Sequence, residues 1–110
     1  MREVKAFVRS TRLNDVIKAL RHNGFKSMTL TEVEGTGRYT KPGASPSLKF
    51  TITHSKMAKL ELLCKKEDVE TIVKLIHENG GTGEKGDGII YVSEVERVFK
   101  VRTGEESQDE

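Results

Sequence analysis

The 110 residues contain no tryptophan, two tyrosines, four phenylalanines, two prolines and a single cysteine. Each shortage excludes something. With 5% aromatic residues and no basic block interleaved among them, the chain has little on which to stack bases, so nucleic-acid binding is not expected. Cys64 alone cannot form an internal disulfide, which fits a reducing compartment. No apolar run approaches the ~20 residues that cross a bilayer, and Met1-Arg2-Glu3-Val4-Lys5 has no apolar signal core, so a cytoplasmic location is expected. An excess of one charge is also missing: 19 Lys and Arg face 17 Asp and Glu, a formal net charge of +2.

What is present is one small globular domain, 35% hydrophobic and 33% charged with 10 glycines, large enough for one core but small for a deep enclosed site. Val4, Ala6 and Val8 alternate with Lys5, Phe7 and Arg9, the pattern of a strand whose second face is partly apolar. Ser10 or Thr11 is a candidate cap for a helix carrying Leu13, Val16, Ile17 and Leu20, ended by Asn23-Gly24. Residues 25–34, rich in threonine, predict a second strand. From Gly35 to about Ser47 the glycines and prolines show no period, and a structureless loop of that length in a compact domain is usually functional. Residues 48–64 read as extended again, with Leu60, Leu62 and Cys64 facing one way and Glu61 and Leu63 the other. Lys66-Glu67-Asp68 opens a second helix with the stripe Val69, Ile72, Val73 and Ile76, closed by Asn79-Gly80-Gly81.

The run Thr82-Gly83-Glu84-Lys85-Gly86-Asp87-Gly88-Ile89-Ile90-Tyr91-Val92 then stands out. Gly86 and Gly88 can take positive φ, so successive backbone N–H groups could converge on an anion. Lys100 and Arg102, two apart in Phe99-Lys100-Val101-Arg102, would project from one face of a strand as countercharge. Gly-Asp-Gly before a strand is equally the mark of a plain turn.

Val16-Ile17-Lys18-Ala19-Leu20-Arg21-His22-Asn23-Gly24 echoes Ile72-Val73-Lys74-Leu75-Ile76-His77-Glu78-Asn79-Gly80. Two βαβ units in tandem, with right-handed crossovers, predict an α+β ferredoxin-like βαββαβ fold with an antiparallel sheet and both helices on one face. The other face, holding Phe7, Leu63 and the threonine strand, is most simply covered by further copies of the chain.

These residues resemble the PII (nitrogen regulatory protein PII) signal-transduction family. The family's C-terminal signature is matched by Thr82, Gly86, Asp87, Gly88, Ile90, Tyr91 and Val92. Met28-Thr29-Leu30-Thr31-Glu32-Val33 with Gly35, Gly37 and Arg38 is similar to its second strand and T-loop base, and Lys100-Val101-Arg102-Thr103-Gly104-Glu105 to its closing basic motif. The resemblance implies a homotrimer with an adenine nucleotide (ADP, ATP or AMP) in each cleft between subunits, and no catalysis. Thr29, Glu61 and Leu63 would lie around the adenosine with Phe7 as a wall. Gly35, Gly37 and Arg38 would couple the T-loop to the nucleotide. Thr82, Gly86, Asp87, Gly88, Ile89, Lys100 and Arg102 would belong to the phosphate end. The implied domain is 1–104 with a T-loop at about 35–56, followed by a loose acidic tail, 105–110. Through that loop the protein would signal to a target, a metabolic enzyme or a membrane transporter.

The departures are as informative. Ile89 stands where the family carries a Lys or Arg, which removes about 1.5–3 kcal/mol of charge-assisted contact to phosphate and argues against a triphosphate preference. Tyr39 and Met57 replace the residues that organise 2-oxoglutarate sensing, so that sensing is not expected; tyrosine modification of the loop tip is not expected either. A metal site at His22, His54 and His77 is disfavoured because no pair has ligand spacing. Cys64 reads as a buried thiol. The alternative class is a small acylphosphatase-like or nucleotide-hydrolysing enzyme on the same fold, for which Asp87 is the only candidate base.

Overall fold

The computed structural model describes residues 1–35, 45–46 and 53–107, with the side chains of 35, 45–46 and 53–55 left aside. Strands β1 (Arg2–Arg9), β2 (Thr29–Gly35), β3 (Ser45–Pro46), β4 (Thr53–Cys64) and β5 (Gly88–Glu94) and helices α1 (Leu13–His22) and α2 (Val69–Gly80) follow in chain order. The main sheet has the order β2-β4-β1-β5, every pair antiparallel, with the short β3 on β4. This is the ferredoxin-like arrangement expected from the two βαβ units.

One sheet face and the two helices enclose the core. Val4, Ala6 and Val8 of β1 and Ala58, Leu60, Leu62 and Cys64 of β4 meet Val16 and Leu20 of α1 and Ile72 and Ile76 of α2, all buried. Each large aliphatic side chain so buried contributes about 1.5–3 kcal/mol. The period of two on the strands and of three to four on the helices selects these residues. Cys64 is 5% exposed, a core residue.

Two boundaries differ from the sequence reading. Neither Ser10 nor Thr11 caps α1: Ser10–Arg12 is a 3-10 turn, and α1 follows Arg12 with no side-chain cap. That tighter turn satisfies the early N–H groups with backbone carbonyls, Leu13 N–H donating to Ser10 O, which makes a hydroxyl cap unnecessary. Strand β2 starts at Thr29 rather than at 25, because Phe25 N–H donates to Leu20 O at 2.9 Å and the Phe25 side chain folds back onto the core over the helix end. Strand β4 is described from Thr53, and the extended reading of 48–52 lies outside the described residues.

The segment after β5 departs most. Phe99 makes an isolated bridge to Glu106, and 101–103 form a turn in which Gly104 N–H donates to Lys100 O and Lys100 N–H to Glu105 O. Lys100 and Arg102 therefore sit on a turn, not a strand, and Phe99 and Val101 are exposed rather than packed behind them. Four residues of alternation are too few to define a strand when a Thr-Gly pair follows. Glu105, Glu106 and Ser107, read as the start of a loose tail, are held to this segment: Ser107 N–H donates to Val98 O, and the Arg97 guanidinium reaches Glu106 at 2.9 Å. Residues 108–110 lie outside the described residues.

Candidate ligand site

The face away from the helices carries the polar and aromatic residues. In an antiparallel sheet directly paired residues share a face, so the register aligns Thr29, Glu61, Lys5 and Tyr91 in one row and Thr31, Lys59, Phe7 and Ile89 in the next. The Phe7 and Tyr91 rings stack at 6.2 Å between centroids, and Lys5 Nζ lies 5.6 Å from the Tyr91 centroid. Lys59 Nζ pairs with Glu61 at 3.1 Å. Met57, on this same face by register, is 1% exposed.

The predicted site residues fall into two groups. Thr29, Glu61 and Leu63 come together along a cavity of about 550 Å³, also lined by Glu3, Lys26 and Met28, beside edge strand β2. Phe7, Asp87, Gly88 and Ile89 line a second cavity, of about 350 Å³, where the 82–88 loop enters the opposite edge strand, β5. Strands β4 and β1 separate β2 from β5, so the two edges stand roughly 14 Å apart at the usual strand spacing. Gly35 closes β2 opposite Ser55. Lys100 and Arg102 are exposed on their turn and line neither cavity. Gly37, Arg38 and Tyr39 lie outside the described residues, as do most of the 35–56 loop and its tip.

The 82–88 loop is organised from within. Gly86 and Gly88 do take positive φ, 90° and 115°. At Gly88 the reason is contact as well as dihedral: a Cβ would stand 1.7 Å from Phe7 O, so only glycine lets β5 start against β1. The N–H groups that converge are those of Thr82 and Gly83, each 2.8 Å from Asp87 Oδ2, and the anion they hold is the Asp87 carboxylate. Thr82 Oγ1 donates to Oδ1 of the same carboxylate. Arg9, from the end of β1, donates through Nε to Oδ1 at 2.9 Å and through Nη2 to Lys85 O at 2.9 Å. Burial alone would push the Asp87 carboxyl up; the bonds from Thr82, Arg9 and the two N–H groups outweigh it and hold it well below the usual carboxylate range. Arg9 was missed in the sequence, where it is one more polar residue in an alternating strand. Its only signal is its position, facing the same way as Phe7 at the strand's last residue.

Among the described residues no group of His, Cys, Asp or Glu is placed to hold a metal ion, and no helix is long and apolar enough to cross a membrane.

An antiparallel ferredoxin-like sheet with a glycine loop at one edge and a cavity lined by polar residues at the other defines a small α+β domain with candidate site residues at both edges of its sheet. Residues 1–105 match the family described as Nitrogen regulatory protein P-II. The chain is 35% identical to a Nitrogen regulatory protein P-II of Pasteurella multocida, with 99% of this chain and 98% of the relative covered. It is 38% identical to Nitrogen regulatory protein P-II 2 of Methanothermobacter thermautotrophicus, covering 96% of this chain and 92% of the relative. A P-II protein of Pyropia yezoensis is 35% identical, with 96% and 95% covered. The chain belongs to the P-II nitrogen regulatory protein family.

Proposed function

We propose that this chain is a regulatory protein that binds an adenine nucleotide between subunits of a homotrimer and signals to a target protein through the 35–56 loop. The observation that carries the reading is the separation of the two half-sites. Thr29, Glu61 and Leu63 flank a cavity at the β2 edge, whereas Gly86, Asp87, Gly88 and Ile89 lie at the β5 edge. A nucleotide that uses both groups bridges them most simply where the β2 edge of one copy meets the β5 edge of another, which also covers the Phe7–Tyr91 face. Adenosine then rests on Thr29, Glu61 and Leu63 with Phe7 as a wall. Phosphates lie against Gly86 and Gly88, with Thr82 and Asp87 shaping the loop and Lys100 and Arg102 brought in from their exposed turn. Ile89 supplies no cation, which favours ADP or AMP over ATP. Gly35 ends β2 at this edge and Gly37 and Arg38 follow it in sequence; through these residues ligand occupancy biases the loop by making different contacts in its two arrangements.

The hydrolase alternative draws no support from Asp87. That carboxylate is engaged by four donors and held ionised, the opposite of a base poised to take up a proton.

Isothermal titration with ATP, ADP and AMP, with and without magnesium and 2-oxoglutarate, tests the reading, with sedimentation to fix the assembly. The expected result is a trimer with micromolar binding that is lost in a Lys100→Ala, Arg102→Ala double variant. A monomer, or an absence of binding to all three nucleotides, would overturn it. Strengthening by 2-oxoglutarate would overturn the reading of Tyr39 and Met57.

A further inference from the structure

Arg9 has no place in the function just proposed, yet it is the residue that ties the 82–88 loop to the sheet. Its side chain is 13% exposed, and its two bonds reach different parts of the loop, the Asp87 carboxylate and the Lys85 carbonyl. Asp87 gathers Thr82 and Gly83 from inside the loop; Arg9 anchors the gathered loop to the end of β1. The arrangement puts a carboxylate between Gly86 and Gly88. Without a countercharge it would repel phosphate oxygens brought against those glycines, the more so the more charge the phosphates carry. With Ile89 next in sequence, no cation follows the glycines to offset it.

We propose that Arg9 is a positioning residue of the nucleotide site: it fixes the 82–88 loop through Asp87 and the Lys85 carbonyl and, by neutralising Asp87, sets how highly charged a phosphate chain the loop accepts. This rests on the reading that the loop faces nucleotide phosphates. A fork with two donors at a fixed angle suits the task, since one side chain meets a carboxylate and a carbonyl at once. The same guanidinium therefore links loop geometry to ligand charge.

The test has two arms. In the first, AMP, ADP and ATP are titrated into the wild type, Arg9→Ala, Arg9→Gln and the Arg9→Ala, Asp87→Asn double variant. Loss of Arg9 is expected to weaken ATP by about tenfold or more, ADP by less and AMP least. The glutamine variant keeps a donor but not the charge, and should show the same gradient. Removing the Asp87 charge in the double variant should flatten that gradient. An equal loss for all three nucleotides, or none, would overturn the charge role. In the second arm, amide hydrogen exchange of Thr82 and Gly83 is followed in the unliganded proteins. Arg9→Ala should accelerate it about tenfold and Arg9→Gln less; unchanged exchange would overturn the positioning role. If the wild type binds no nucleotide, the proposed function fails and with it the charge role, while the exchange arm still decides whether Arg9 positions the loop.

Discussion

On the way into β5 the chain passes through the 82–88 loop, and on the way out through the 97–107 turn. Both carry glycines and charges, and both resemble family motifs, yet they are held differently. The first is closed by a side chain: the Asp87 carboxylate collects two N–H groups, a hydroxyl and the partly buried guanidinium of Arg9. The second is closed by its backbone, through Lys100, Glu105, Gly104 and Ser107, with an Arg97–Glu106 pair whose side chains are 60% and 41% exposed. A knot in which one carboxylate takes several charge-assisted bonds holds its geometry more stiffly than a single exposed ion pair. One segment is therefore built ahead of any ligand, while the other offers its cations on an exposed turn.

Substitutions can break that contrast in graded steps. Gly88→Ala should be the most damaging, above about 3 kcal/mol in denaturant unfolding, because it combines a clash with the Phe7 carbonyl and a positive φ. Asp87→Ala should cost about 2 kcal/mol, since it strips the loop of its central acceptor. The effect has a pH signature. The folded state depresses the Asp87 carboxyl, so the unfolded chain takes up the proton more readily. The contribution is then complete above the unfolded value near 3.8 and fades as pH falls below it. The stability gap between wild type and Asp87→Asn should narrow steadily on acidification from about pH 5 to 3, and a constant gap would contradict the knot. Across β5, Arg97→Ala should cost only about 0.5–1 kcal/mol, losing an exposed ion pair and a cation–π contact with Phe99 at 4.7 Å. Lys100→Ala with Arg102→Ala should shift subunit stability by less than about 0.5 kcal/mol, which would separate a ligand-binding defect from a folding one.

The sequence made the buried architecture readable because burial imposes a period. Val4, Ala6 and Val8, the Leu60–Leu62–Cys64 series, Val16 with Leu20 and Ile72 with Ile76 all lie where alternation or helical spacing puts them, whereas Ile17 and Val73, at the rim of the helix stripes, are only half-buried. What could not be read was anything decided by a single local hydrogen bond. Ser10 looks like a cap until the backbone turns more tightly, and Phe25 looks like strand until its N–H returns to Leu20. Of the candidate site, Thr29, Glu61 and Leu63 were grouped by the family resemblance, and the register sets Thr29 opposite Glu61 with Leu63 two residues on along β4. The Arg9–Asp87 contact joins residues 78 positions apart, and no pattern along the chain announces such a pair. Lys100 and Arg102 erred in the other direction, since alternation over four residues does not require a partner strand.

Strand β1 pairs with β4 on one side and β5 on the other. Strand β1 is thus an interior one, and it lacks these partners until Thr53–Cys64 has been synthesised. Its second partner, Gly88–Glu94, is made later still. A nascent chain of this kind carries an unpaired, half-apolar ribbon until those strands follow, and long-range pairing makes its closure slow relative to helix formation. Premature termination anywhere before Glu94 would leave that ribbon with an open side, a template for pairing with other chains.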